Sequence, residues 1–315
     1  MPSFATEVKN ELARLFYKRG CCRRAELAGL LRMGAALTLG AGRTLGLSFT
    51  TENAAVARKV LVLIKEFDKV RTEVTVTRAR RLKKKNTYRI KVVPSPQVSD
   101  LLNELGMMPG TGPVPGRLGP LLRRSCCRWA YLRGAFLGGG TVNRPEADYH
   151  LELVMGNYQF ADLVAALFKK IEIEARLTDR KDTYIVYMKD CDSIMDFLQG
   201  LEADKAVEAF GIARNLKEVR NQVNRLVNCE TANMQKTVEA AAHQVVGIQR
   251  IIRAGRLESL PDKLQKTARA RLDSPEASLG DLAAELGVSR SSVSHRLHRI
   301  LALAQEISQD EADDW

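Results

Sequence analysis

The sequence predicts an α+β protein, a duplicated αββαββ unit joined by a helical linker to a small all-α domain. Three observations carry that expectation. Cys21-Cys22-Arg23-Arg24-Ala25-Glu26-Leu27-Ala28-Gly29 and Cys126-Cys127-Arg128-Trp129-Ala130-Tyr131-Leu132-Arg133-Gly134 read almost alike at an offset of 105 residues, and Gly34 falls on Gly139 in the same register. Self-similarity at so long a period marks a duplicated domain, because solenoid repeats are far shorter. Each copy is followed by a strand, a helix and paired strands. Beyond both, a proline-free stretch from Ile212 to Ala254 leads into a cap–turn–cap pattern near the C-terminus.

The elements follow in order. Ser3 caps an amphipathic helix running to Leu12. The first repeated helix carries small residues on an apolar sequence, which lets two helix backbones approach closely. The two copies are therefore expected to cross at the centre of a pseudo-twofold pair. Leu45–Phe49 reads as a strand, 54–67 as a helix, and 74–80 with 87–93 as paired strands joined by a turn through Lys83-Lys84-Lys85-Asn86. Pro94 and Pro96 close this half, and a short helix covers 98–105. The run Pro109-Gly110-Thr111-Gly112-Pro113-Val114-Pro115-Gly116 cannot hold regular structure and links the halves. The second half repeats the order with a strand at 151–154, a helix at 159–170 and strands at 173–177 and 183–187. The resulting domains are 1–211 (halves about 1–108 and 117–211), a linker at 212–258, an all-α domain at 259–305 and an acidic tail at 306–315.

Composition narrows the partners. Among 315 residues, 49 Lys and Arg face 37 Asp and Glu, a net charge of +12. Such a surplus suits a polyanion through phosphate neutralisation. No apolar run reaches membrane-spanning length, and Glu7, Lys9 and Glu11 interrupt any signal-peptide core, so a soluble cytoplasmic protein at the nucleoid is expected. The six cysteines form no CxxC pair. Cys21, Cys22, Cys126 and Cys127 could make a four-thiolate metal site across the pseudo-twofold. Their spacing instead favours small buried residues at the start of each central helix, with no structural metal and no disulfide.

The strongest charge cluster is Arg78, Arg80, Arg81, Lys83, Lys84, Lys85, Arg89 and Lys91, with Arg78 and Arg80 on one strand face. It is either a set of DNA-phosphate contacts, through Arg78 to Lys85, or a solvated edge. The matching second hairpin has Arg176, Arg180 and Lys181 offset by Asp179 and Asp182. In the linker, Leu216, Val219, Val223 and Leu226 share one side, while Lys217, Asn221, Asn224 and Asn228 share the other. That asparagine stripe is either a contact surface or ordinary surface of poor helix propensity.

The most specific signal spans Ser278 to Leu297. Ser278 and Asp281 form a capping box, Ala283 is small where helices cross, and Gly287 permits a tight turn. Ser289 caps a second helix with Val293, Leu297 and Ile300 as its buried stripe. This reads as a helix-turn-helix, completed by a helix from Pro261 to Arg271 with Pro261 in its first turn. Candidate double-stranded DNA contacts are Ser278, Ser289, Arg290, Ser291, Ser292, Ser294, His295 and His298, with Arg296 and Arg299 placed for phosphates.

Leu27 to Ala35 resembles the LAGLIDADG helix of homing endonucleases, and Leu132 to Gly140 is a looser second copy. In that family the eighth position of each copy is an acid that holds the catalytic metal. Here the eighth positions are Gly34 and Gly139, and Glu26, Glu146 and Asp148 match nothing in the other half. The resemblance implies a saddle-shaped scaffold without its nuclease chemistry, hence no enzyme and no cofactor. A degenerate LAGLIDADG domain, a helical connector and a helix-turn-helix together resemble the WhiA proteins of Gram-positive bacteria over nearly the whole chain. Ser3-Phe4-Ala5, Val8-Lys9-Asn10-Glu11-Leu12, the run Gly139 to Asn143, Asn224-Arg225 and Asn228-Cys229-Glu230-Thr231-Ala232-Asn233 carry that likeness. It implies a transcriptional regulator of sporulation septation, cell division and chromosome segregation. It also implies that the helix-turn-helix, which looks like sigma-factor region four, does most of the DNA binding. A WhiB-type iron–sulfur co-regulator in actinobacteria and RNA polymerase are the further partners implied. The competing expectation is a non-specific nucleoid-associated protein binding through the basic saddle.

Overall fold

The computed structural model describes residues 2–67, 70–78, 86–108 and 119–313. The chain divides into two compact units, Met1–Lys217 and Glu218–Trp315. The link at 109–116 and the basic residues Arg80, Arg81, Lys83, Lys84 and Lys85 lie outside the described residues.

In the first unit, α1 (Phe4–Leu12) is capped by Ser3, whose hydroxyl accepts the Thr6 N–H at 3.3 Å. Then come α2 (Gly20–Gly34), β1 (Ala35–Leu39), β2 (Leu45–Thr51), α3 (Ala54–Ile64), β3 (Thr72–Arg78), β4 (Asn86–Val92) and α4 (Pro96–Glu104). The second half repeats the plan with α5 (Ser125–Gly139), β5 (Gly140–Val142), β6 (Leu151–Met155), α6 (Tyr158–Lys170), β7 (Arg176–Arg180), β8 (Thr183–Met188) and α7 (Cys191–Gly200). Each half is a four-stranded antiparallel sheet, ordered β1-β2-β4-β3 and β5-β6-β8-β7. Both halves show the αββαββ order expected of the fold class, each with a first strand that the sequence does not locate.

The central helices α2 and α5 have equal length and meet as expected. A Cβ on Gly29 would lie 2.1 Å from the Tyr131 carbonyl oxygen, and one on Gly134 would lie 2.0 Å from that of Glu26. Only glycine permits such an approach. Gly138 lies against Leu30 and Met33, so partners rise together along both helices and the two run parallel. Leu27, Leu30, Leu31, Leu132, Phe136 and Leu137 are buried around this seam.

Several boundaries depart from the sequence expectation. β1 and β5 follow the central helices with no loop between them, and neither was anticipated. Ala35-Ala36-Leu37-Thr38-Leu39 lacks polar alternation, and Leu37 and Leu39 stay exposed, so the usual signal of a half-buried strand is missing. α3 ends at Ile64, short of Phe67. β7 begins at Arg176, because Glu172 takes φ +62° and Ile173 turns into the core. Its hairpin closes through Lys181 and Asp182, both at positive φ, a turn matched to strand twist. α7 was not anticipated.

The long helix α8 (Asp204–Arg253) starts eight residues before Ile212, so the boundary expected at 211 falls inside a helix. Its first turns belong to the first unit. Phe210 is buried against Tyr149 and Phe4, and the Lys217 ammonium donates to the Ala147 carbonyl at 2.6 Å over the Tyr149 ring. Leu216, Val219, Val223 and Leu226, the apolar stripe read from the sequence, are all exposed. Among the described residues no helix is long and apolar enough to cross a membrane.

Candidate nucleic-acid interface

The second unit is built by α9 (Asp262–Asp273), α10 (Leu279–Glu285) and α11 (Arg290–Asp313), with the last turns of α8. Ile248 and Ile251 of α8 share the core of Leu264, Ala268, Leu282, Val293, Leu297 and Ile300. A Cβ on Gly247 would lie 2.7 Å from Leu301 Cδ2, so α8 and α11 are tightly apposed. The expected three-helix domain therefore has a fourth helix, which reaches into what was read as linker.

Local chemistry fixes the turn. Ser278 Oγ accepts the Asp281 N–H at 3.2 Å, and the Asp281 carboxylate accepts the Ser278 N–H at 3.0 Å. Side-chain and backbone hydrogen bonds from Ser278 hold the Asp281 carboxyl below its ordinary range. α10 ends where Gly287 takes φ +61°, with Val288 N–H returning to the Ala283 carbonyl at 3.0 Å. Ser289 Oγ then accepts the Ser292 N–H at 3.2 Å and starts α11. Pro261 is the N-cap of α9 and does not enter its first turn. The buried Arg271, its pKa lowered by desolvation, donates to the Ala277 carbonyl at 2.6 Å and ties down the connection into α10.

This frame sorts the predicted residues. Val293, Leu297 and Ile300 are buried as one stripe. Arg290, Ser291, His295, His298 and Arg299 are exposed on α11, and Ser292, Ser294 and Arg296 are half-buried. Ser278 and Ser289 serve as caps. Arg296 leans back on α9, with Nη1 3.5 Å from Thr267 Oγ1. One surface hollow brings Ser291, Ser292, His295, Arg296 and Arg299 together with Lys263 of α9. Lys263 was not singled out in the sequence, because only the packing of α9 on α11 puts it there. The arrangement offers cationic and hydrogen-bonding groups at the start of a projecting helix, the geometry that reads base edges in a major groove.

The first unit presents a second basic surface. Val74 pairs with the buried Ile90, so alternation puts Arg78 on the core side of β3, together with Val74 and Val76. The opposite face carries Ser48, Thr50, Glu73, Thr75, Thr77, Thr87, Arg89 and Lys91, with Lys91 between Ser48 and the acidic Glu73 and Arg89 between Thr50 and Thr75. Of the phosphate candidates, Arg78 thus faces away from this polar side. The equivalent face of the second sheet has Glu152, Tyr187 and Arg176 in one row.

The nuclease metal positions do not fit a metal. A Cβ on Gly34 would lie 2.6 Å from the Phe49 ring, and one on Gly139 would lie 2.4 Å from Met33 Cε. Both places are filled by apolar side chains, so no carboxylate could stand there without repacking. Glu26 is consumed elsewhere, bonded to Lys59 and Arg133 at 2.8 Å each in the buried seam.

Three family models match the chain in order. They are a WhiA N-terminal LAGLIDADG-like domain over 20–108, a WhiA LAGLIDADG-like domain over 128–220 and a WhiA C-terminal HTH domain over 223–304. A probable cell division protein WhiA of Desulforamulus reducens is 43% identical over 97% of this chain and 96% of its own. That of Brevibacillus brevis is 40% identical over 98% of each. The crystal structure of full-length DUF199/WhiA from Thermatoga maritima aligns at a TM-score of 0.60 and 25% identity, over 97% of this chain and 99% of that one. Continuous similarity across both LAGLIDADG-like halves and the helix-turn-helix shows that this chain belongs to the WhiA family.

Proposed function

We propose that this chain is a sequence-specific transcriptional regulator acting at the nucleoid, which reads promoter DNA through the N-terminal half of α11. The observation that carries this reading is the exposed set Arg290, Ser291 and His295 at the start of a helix whose opposite stripe is buried. Bidentate or paired contacts from such side chains to base edges are each worth about 1–3 kcal/mol of discrimination. Arg299 and Lys263 flank that tip and suit phosphates, which position the helix without reading sequence. Its likeness to probable cell division proteins supports a role in cell division, which this reading extends to sporulation septation and chromosome segregation. The duplicated unit acts as a scaffold with no nuclease activity, because glycine occupies both metal positions. Arg89 and Lys91 would add affinity that is independent of sequence.

Mobility-shift titrations against a target operator and a scrambled duplex test the assignment. Arg290→Ala and His295→Ala are expected to shrink the affinity ratio between the two duplexes roughly 5- to 100-fold each. A ratio unchanged in both variants removes α11 as the reading helix.

A further inference from the structure

The four cysteines of the repeat converge. Cys21 and Cys22 are the second and third residues of α2, and Cys126 and Cys127 hold the same places in α5. Because the two helices run parallel, all four thiols meet at one end of the seam. The sulfurs of Cys21, Cys22 and Cys127 lie within 4.8 Å of one another, although they come from both halves. Cys126, whose place in α5 matches that of Cys21 in α2, lies outside that group of three and would join it by a change of rotamer. Arg19 reaches Cys126 Sγ and Arg124 reaches Cys21 Sγ, each at 3.9 Å, a pair of contacts related by the same pseudo-twofold. Cys22 and Cys127 are buried, while Cys21 and Cys126 are half-buried and open to entry. The sequence spacing pointed to small buried residues. The parallel seam instead turns two adjacent pairs into one quartet.

We infer that Cys21, Cys22, Cys126 and Cys127 form a tetrathiolate site for a soft divalent metal ion of the zinc class, bridging the two halves at the N-terminal end of the central helices. Tetrahedral coordination with metal–sulfur bonds of about 2.3 Å sets sulfur–sulfur distances near 3.8 Å, so the three clustered sulfurs need only small rotamer shifts. Four thiolates and a divalent ion carry a net charge of about −2. Two cationic guanidiniums surround them, and each helix N-terminus adds roughly half a positive charge. These positive charges offset part of that negative charge. An all-sulfur tetrahedron also selects against magnesium and calcium, which take oxygen ligands. On binding, the thiol protons still present are released to solvent and the ion takes the sulfur lone pairs, with no change of oxidation state.

Cobalt(II) titration of the reduced full-length chain, with zinc back-titration, tests the site. The expected result is a near-ultraviolet thiolate-to-cobalt charge-transfer band with visible bands of tetrahedral intensity. Both saturate at one ion per chain and are erased by zinc. Cys21→Ser with Cys126→Ser abolishes them, whereas Cys229→Ser, on an exposed cysteine, leaves them intact. Failure of the reduced wild type to give the band overturns the proposal without recourse to any variant. So does a band that survives the double substitution. Mass spectrometry on air-exposed protein adds a third arm. Cys21–Cys127 and Cys22–Cys126 disulfides forming at the same rate with and without excess zinc would show a redox pair in place of a metal site.

Discussion

Glu26 holds two cations that no local pattern connects to it, Lys59 of its own half and Arg133 of the other. Its Oε1 bonds Lys59 Nζ and Arg133 Nε, and Arg133 also reaches Glu202 at 3.1 Å and lies 3.7 Å over the Tyr17 ring. Lys59 donates further to the carbonyls of Leu12, at 3.2 Å, and Leu15. Burial pushes the Glu26 carboxyl up and the Lys59 ammonium down, and the opposite charges pull both back. Glu26→Ala would leave the buried Lys59 without its anion and Arg133 with Glu202 alone, and is expected to cost about 3–5 kcal/mol in urea unfolding. A loss below about 1 kcal/mol would mean water reaches the seam. Lys9 gives a pH test. It lies 6.0 Å from the Phe136 ring, and burial lowers its pKa from 10.5 to about 8. Below pH 8 both states are protonated and the folded ammonium is penalised. Between about 8 and 10.5 the unfolded chain holds a proton that the folded chain lacks, so this group makes stability rise with pH. Lys9→Met should therefore stabilise the protein near pH 7, with the gain fading as pH approaches 10.5, read from paired urea midpoints. These pairings were not legible in the sequence. Glu26 stood out only as an acid that failed to match the other half, because its partners lie far along the chain and meet only in the fold.

At the scale of elements, the repeat was the legible part. One offset placed α2 on α5, and the small residues within it announced the close crossing. Gly134→Ala tests that crossing, since the new methyl would meet the Glu26 carbonyl at 2.0 Å. The expected loss is about 3 kcal/mol or more, because backbone, unlike a side chain, cannot rotate away. A tolerated alanine would mean the helices separate cheaply. The helix-turn-helix was legible for a related reason. Its caps, turn glycine and buried stripe are all local, lying between Ser278 and Ile300. β1, β5 and α7 were not. The first two lack alternation or length, and their pairing is fixed by β2 and β6 across the sheet. The cysteine quartet shows the same limit, since adjacent cysteines carry no familiar ligand spacing until two helices bring them together.

At the scale of the molecule, a LAGLIDADG-like scaffold carries glycine, Phe49 and Met33 at the eighth positions of its two central motifs, and the helix-turn-helix carries the exposed hydrogen-bonding surface. Truncation before α9 would test this division poorly, because it strips the partners of Ile248 and Ile251. Point variants keep the fold and remove only the reading groups. The deciding measurement is chromatin immunoprecipitation with sequencing on the wild type and on a chain carrying Arg290→Ala and His295→Ala. Sharp promoter peaks that share a short motif in the wild type, and that collapse in the variant while its melting temperature holds, are the result this account predicts. Broad occupancy that is the same in both would contradict it and make the basic sheet face around Arg89 and Lys91 the principal DNA contact.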